Sequence, residues 1–182
     1  MKKSFYLLML IVMIFTACNN TTNKQEWTIK HFKDKYGDIV EDAKYITTVK
    51  PIEGTFSNSI TNNSKCSFEF VIFGDDTIGL IIYEYGINNS KMNFSYRIEY
   101  DCELKFNDGT TSVDFSAETQ RFTDIDLDMI VFDNDWIKEV LLEKKDFKLY
   151  LKEVTKFGTP STYLVSVEVN NFEKVYLEYD KY

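Results

Sequence analysis

Three aspartates at alternate positions, Asp124, Asp126 and Asp128, come nearest to a metal site in this sequence. They imitate the opening of a calcium loop, with Asp135 at the twelfth position counted from Asp124. Such a loop needs glycine at its sixth position for a sharp turn, and Met129 stands there. Ile125 and Leu127 between the acids fit a strand with one wet face better than a loop. His31 is the only histidine, in the polar run Lys30-His-Phe-Lys-Asp34, which removes most metal and triad arrangements that need a histidine with a partner. The acid pairs Asp75-Asp76 and Asp133 with Asp135 invite a hydrolase reading, which requires two carboxyls about 5 to 10 Å apart across a cleft. With 29 acids in the chain, spacing alone carries little force, and these acids fall at turns and caps. There is no zinc-type cysteine spacing, no phosphate-cradling glycine loop and no Gly-x-Ser-x-Gly. No cofactor is expected.

The remaining reactive side chains are cysteines. Cys18 closes a segment that begins with Lys2 and Lys3 and continues as an apolar run from Phe5 to Ala17. Thirteen apolar-core residues are too few to span a bilayer, where about 20 are needed, so the segment reads as a secretory signal. Thr16-Ala17-Cys18 resembles a lipobox, the site at which bacterial lipoproteins are acylated on cysteine and cut before it. The resemblance implies that residues 1–17 are removed and that Cys18 becomes a lipidated first residue. Ordinary cleavage near Ala17 is the alternative. Acyl chains stabilise membrane attachment by about 0.8 kcal/mol per buried methylene.

Removal of residues 1–17 deletes two lysines and no acid, so the formal charge moves from −8 to −10 over 182 − 17 = 165 residues. That acidity argues against nucleic acid as a partner and against electrostatic adsorption to anionic lipid. Asn19 to Gln25 reads as a polar tether, making 18–25 the lipidated tether and 26–182 a single domain.

The positioning elements are mainly strands. From Phe94 to Phe106 every even position is apolar or aromatic and every odd position polar, a period of two that only a strand has. Its length predicts a bulge near Asp101 or Cys102. Cys66 to Phe73 alternates as well, and Gly74-Asp-Asp-Thr77 signals a turn. Pairing Gly74 with Thr77 sets Phe70 opposite Ile81 and Phe68 opposite Tyr83. It leaves Val71, Phe73, Ile78, Leu80 and Ile82 together on the other face, as a candidate partner patch or a face covered by a helix. Tyr85 opposite Phe94 makes the long strand third in a meander. Asp108-Gly109 turns it back, with Leu104 opposite Val113 and Cys102 opposite Phe115. In that meander Cys66 and Cys102 lie roughly 26 Å apart, so both are expected free and buried. Arg121 to Met129 reads as another strand. Asp133 caps a helix through Trp136, Ile137, Val140 and Leu141, expected over the Phe73 and Ile78 face. Asp146–Lys156 and Thr162–Val169 pair, and Phe172, Val175, Tyr176 and Tyr179 sit at helical spacing, with a terminal strand as the alternative. Glu26 to Tyr36 reads as a helical turn or two, and Tyr45 to Lys50 as a first strand.

These elements predict a mainly β fold, an antiparallel β-sandwich of about eight or nine strands with one or two short covering helices. Lys35-Tyr-Gly-Asp38, Tyr45-Ile-Thr47, Gly54-Thr-Phe-Ser-Asn-Ser59, Phe147-Lys-Leu-Tyr-Leu-Lys-Glu153 and Thr159-Pro-Ser-Thr-Tyr163 resemble segments of uncharacterised envelope lipoproteins of Bacteroidetes-type bacteria. The resemblance supports an envelope address, with the outer membrane expected, and brings no activity. The expected function is a non-enzymatic, membrane-anchored binding module for a protein, peptide or glycan. An immunity or inhibitor protein capping a basic toxin surface is the first alternative, and a carboxylate-dependent hydrolase the second.

Overall fold

A computed structural model describes residues 25–33, 36–74, 77–85, 97–107, 112–123, 127–133 and 136–181. Ten strands and two helices follow one another as β1 Trp27–Lys33, β2 Ile39–Thr48, β3 Ile52–Ser57, β4 Ser64–Phe73, β5 Thr77–Tyr83, β6 Glu99–Phe106, β7 Ser112–Phe122, β8 Leu127–Phe132, α1 Trp136–Leu142, β9 Phe147–Glu153, β10 Thr162–Val167 and α2 Phe172–Tyr179.

The sheet is a closed antiparallel barrel, and this overturns the sandwich. Eight strands run around it in the order β3-β4-β5-β8-β7-β6-β9-β10 and back to β3. Three long-range pairings close it, one of them β6 with β9 from Tyr100 with Glu153 to Phe106 with Phe147. β5 meets β8 at Gly79 with Val131 and Leu80 with Ile130, and β3 meets β10 from Ser57 with Thr162 to Gly54 with Val165. Each pairing satisfies an edge that a sandwich would have left open.

A barrel of about eight strands has an interior that side chains just fill. Phe56, Phe68, Phe70, Leu80, Tyr100, Leu104, Leu149, Leu151, Tyr163 and Val165 fill this one, and all are buried. At one end stand the C-terminal ends of β4, β6 and β10 and the starts of β3, β5 and β9. Both helices sit here. Ile137, Val140 and Leu141 of α1 are buried, and Trp136 meets the Phe106 ring at 5.7 Å. Phe172 of α2 packs edge-on to Trp27 at 4.9 Å, and Trp27 in turn reaches Phe70 at 5.8 Å. The opposite end carries the β3–β4 and β9–β10 loops.

β1 and β2 form a ribbon outside the barrel. β2 pairs with β4 at Ile46 with Ile72 and Thr47 with Val71, while β3 occupies the same edge of β4 from Ser64 to Phe68. β4 is therefore shared between barrel and ribbon. The helical expectation for Glu26 to Tyr36 fails because β1 carries a register shift between His31 and Lys33. That bulge buries both Trp27 and Phe32, residues of opposite parity, and so erases the two-residue period.

Three other expectations need correction. The β4–β5 hairpin pairs Phe73 with Thr77, Phe70 with Leu80 and Phe68 with Ile82, one residue away from the expected register. Its loop holds three residues rather than two, starting at Gly74 with φ +58°, and a single-residue slip exchanges the two faces. β6 lies between β7 and β9 and does not adjoin β5, so it is not third in a meander; Phe94 and Tyr96 lie outside the described residues. No bulge interrupts β6, whose register is continuous from Glu99 to Lys105. The β6–β7 register is as expected, with Leu104 opposite Val113 and Cys102 opposite Phe115. Both helices form where helical spacing placed them.

Candidate functional site

The corrected hairpin divides the five-residue apolar patch. Ile78, Leu80 and Ile82 point into the barrel with Phe68, Phe70 and Ile72, where all are buried. Val71 and Phe73 point outward. Among the described residues the β1–β2 ribbon covers them rather than the helix that carries Trp136, with Phe32 edge-on to Phe73 at 5.5 Å and stacked on Tyr45 at 4.4 Å. Phe122 closes on Phe73 from the other side at 5.1 Å. Glu69 fastens the ribbon by accepting hydrogen bonds from Thr47 Oγ1 at 3.0 Å and the Tyr83 hydroxyl at 2.9 Å, with Lys30 Nζ at 3.5 Å. Burial, and then the Glu69 carboxylate beside it, push the Tyr83 hydroxyl well above its usual range.

Of the three aspartates, Asp124 and Asp126 lie outside the described residues, as do Asp75, Asp76 and Asp135. Asp128 is in β8 and pairs with Arg121 Nη1 at 2.8 Å. Among the described residues no group of three or more His, Cys, Asp or Glu side chains could hold a metal ion. His31 is exposed, its Nδ1 3.1 Å from the Glu41 carbonyl oxygen. Cys18 lies outside the described residues. Cys66 and Cys102 are free and buried, as expected, although the strand order behind that expectation was wrong. Burial raises each thiol to about 12, helped by Glu84 at Cys66 and by Asp133 and Asp101 at Cys102. Thiols held protonated this firmly are poor nucleophiles.

Among the described residues two surfaces bear on binding. The first is a groove of about 460 Å³ on the outer wall of β6, β7 and β8. Glu99, Asp101, Glu118 and Asp133 line it with Ser116, Val131 and Val154, and Arg97 pairs with Glu118. It is rich in acids because β6 and β7 turn their polar alternate positions to this wall.

The second is the loop end of the barrel, which the sequence reading missed. Ile60 in the β3–β4 loop and Phe157 in the β9–β10 loop are each 91% exposed, and Tyr85 after β5 is 65% exposed. Both loops are built to hold these side chains out. Asn58 Oδ1 accepts from the amides of Ile60 and Thr61 at 2.9 and 3.0 Å, and Ser57 Oγ accepts from the Asn63 amide at 2.9 Å. Thr155 Oγ1 donates to the Phe157 carbonyl at 2.6 Å and receives the Phe157 amide at 3.2 Å, and Gly158 follows at φ +88°. Just inside the mouth, Tyr163 donates to Glu84 Oε1 at 2.7 Å. Burial, with the Glu84 bond next, drives the Tyr163 hydroxyl far above its usual range. The legible signal was a single large apolar residue inside each polar loop, Ser-Ile-Thr and Lys-Phe-Gly.

Comparison with family models, curated proteins and solved structures finds no match. Among the described residues no helix is long and apolar enough to cross a membrane.

Proposed function

We propose that this chain is a lipid-anchored protein of the bacterial cell envelope, held at the outer membrane through acylated Cys18, whose barrel binds a protein, peptide or glycan without catalysing a reaction. One observation carries the binding reading: the lumen is filled by its own side chains while large apolar residues stand in water at the loop end. A filled barrel offers a ligand its outer surface rather than a cavity. The anchor rests on the charged, apolar and Thr-Ala-Cys order of residues 2–18. The test is metabolic labelling of the full chain with a radioactive or clickable fatty acid, together with membrane fractionation. Label on the wild type and its loss with release from the membrane in Cys18→Ala are the expected results. An unlabelled wild type removes the anchor from the proposal.

The acidic groove favours one second reading, an immunity or inhibitor protein that caps a basic surface. Paired charges across such an interface are screened by salt. A partner lost from the full chain in about 0.5 M salt supports this reading, and one retained there opposes it.

A further inference from the structure

The point where the chain enters the barrel and the point where its apolar tips emerge lie at opposite ends. Gln25, the first described residue, is fixed at the helix end, its amide donating to the Glu168 carbonyl at 3.1 Å and its Nε2 to the Lys50 carbonyl at 2.9 Å. The seven residue steps from Cys18 to Gln25 reach at most about 25 Å. An anchor at Cys18 therefore holds the helix end toward the bilayer and turns Ile60, Tyr85 and Phe157 away from it. The topology also gathers these tips. β5, β4, β3, β10 and β9 are consecutive neighbours in the barrel wall, and their loop-end termini carry all three residues. Tyr85 packs edge-on to Phe56 at 5.4 Å, which ties it to the rim of β3 below the Ile60 loop.

Charge indicates what the two loops at this end recognise. Residues 58–63 and 154–161 include Lys156 as their one charged residue, in a chain that is 27% charged. The rest are Asn, Ser, Thr, Gly, Pro and Val around the two apolar tips. Depletion of charge at an apolar centre marks the core of a protein interface. Rigid aromatic anchors among short polar side chains are also the composition by which antibody loops bind proteins. The hydrogen bonds within each loop organise the tips in advance, so binding orders few side chains. We infer that the loop end, with Ile60, Tyr85 and Phe157 as its anchors, docks a protein that presents an uncharged surface with an apolar centre, on the side facing away from the anchoring membrane. This rests on the envelope binding module proposed above and assigns its recognition surface.

The test is photo-cross-linking of the full chain in the cell that makes it. p-Benzoylphenylalanine replaces Ile60, Tyr85 or Phe157, or Leu177 on α2 as a control that is 54% exposed. The expected result is one common protein adduct from the three loop-end positions and none from Leu177. The adduct withstands about 0.5 M salt, and the partner's cross-linked peptide is apolar and uncharged. Combining Ile60→Ser with Phe157→Ser lowers the yield from position 85 at least about tenfold, while thermal melting is unchanged because both side chains are exposed. Adducts to lipid, to a second copy of this chain or to a charged peptide each overturn the inference. So do equal adducts from Leu177, or none from the three positions. Fractionation of Cys18→Ala in parallel reports on the anchor by itself, so its failure is distinguishable from failure of the docking surface.

Discussion

Gly54→Ala is expected to be among the most destabilising single-methyl additions in this protein. Gly54 lies in β3 between Val165 of β10 and Cys66 of β4, and a β-carbon there would stand inside contact distance of the Leu164 carbonyl oxygen. It would also stand 2.5 Å from Cε2 and 3.2 Å from Cδ2 of Phe68. The Phe68 ring is fully buried and has nowhere to retreat. The carbonyl belongs to the neighbouring strand and cannot shift without stretching the β3–β10 ladder that closes the barrel. Overpacking costs about 1 to 3 kcal/mol, and a weakened buried ladder bond adds about 1 kcal/mol. The expected loss is about 3 kcal/mol, a fall of about 6 to 12 °C in Tm for a chain of this size. Gly79→Ala is the control. The three atoms nearest a β-carbon there all belong to the Met129 side chain, with Cε at 2.8 Å and Cγ at 2.9 Å, and methionine can change rotamer. Its expected loss is about 1 kcal/mol or less. Adding Phe68→Leu to Gly54→Ala returns about 1 kcal/mol through coupling between the two sites. Urea unfolding followed by tryptophan fluorescence measures all four proteins. A Gly54→Ala loss no larger than that of Gly79→Ala would refute the reasoning.

Other outcomes follow from contacts at the mouth, the ribbon and the thiols. Tyr163→Phe removes the donor to Glu84 and is expected to cost about 1 to 2 kcal/mol by urea titration. Glu69→Gln is expected to speed amide hydrogen exchange in β1 and β2 about tenfold while leaving β6, β9 and β10 unchanged, because the ribbon depends on Thr47 and Lys30 reaching that carboxylate. Equal acceleration throughout would show that the ribbon is no separate unit. Cys66 and Cys102 ionise near 9 when unfolded and near 12 when folded, so the folded state keeps protons that the unfolded state releases. Stability therefore falls as pH rises from about 9 toward 12, and the buried tyrosines act in the same direction. Cys102→Ala is expected to flatten that fall relative to wild type; parallel urea midpoints at pH 8 and pH 10.5 would sink the assignment.

Alternation and turn chemistry made some of this fold readable and hid the rest for physical reasons. The β6–β7 hairpin was legible because Asp-Gly is a turn signal in the sequence and Tyr100, Cys102 and Leu104 keep strict parity with their partners. β4 and β5 were legible as strands but not in register, since Gly74-Asp-Asp-Thr77 permits a loop of two or three residues. Both faces of that hairpin are apolar, one toward the lumen and one toward the ribbon, so polarity could not decide between the registers. Closure was out of reach. Gly79 with Val131 and Gly54 with Val165 are contacts between distant segments, and alternation within one strand carries no information on which strand adjoins it. At the candidate site, the exposure of Ile60 and Phe157 is a property of the assembled barrel, which alternation within one strand does not carry.

Asn171 deserves a further consequence. Its side chain accepts from the Trp27 amide at 2.8 Å and donates to the Trp27 carbonyl at 3.1 Å, so the first strand and the last helix are laced together by one amide. The last helix therefore starts against the first strand, although 144 positions separate Trp27 from Asn171 in sequence. Joining these ends with a Gly-Ser linker and opening the chain in the exposed loop after Val154 would give a circular permutant with the same barrel. The order in which the strands are synthesised would change, and the set of neighbours each one finds would not.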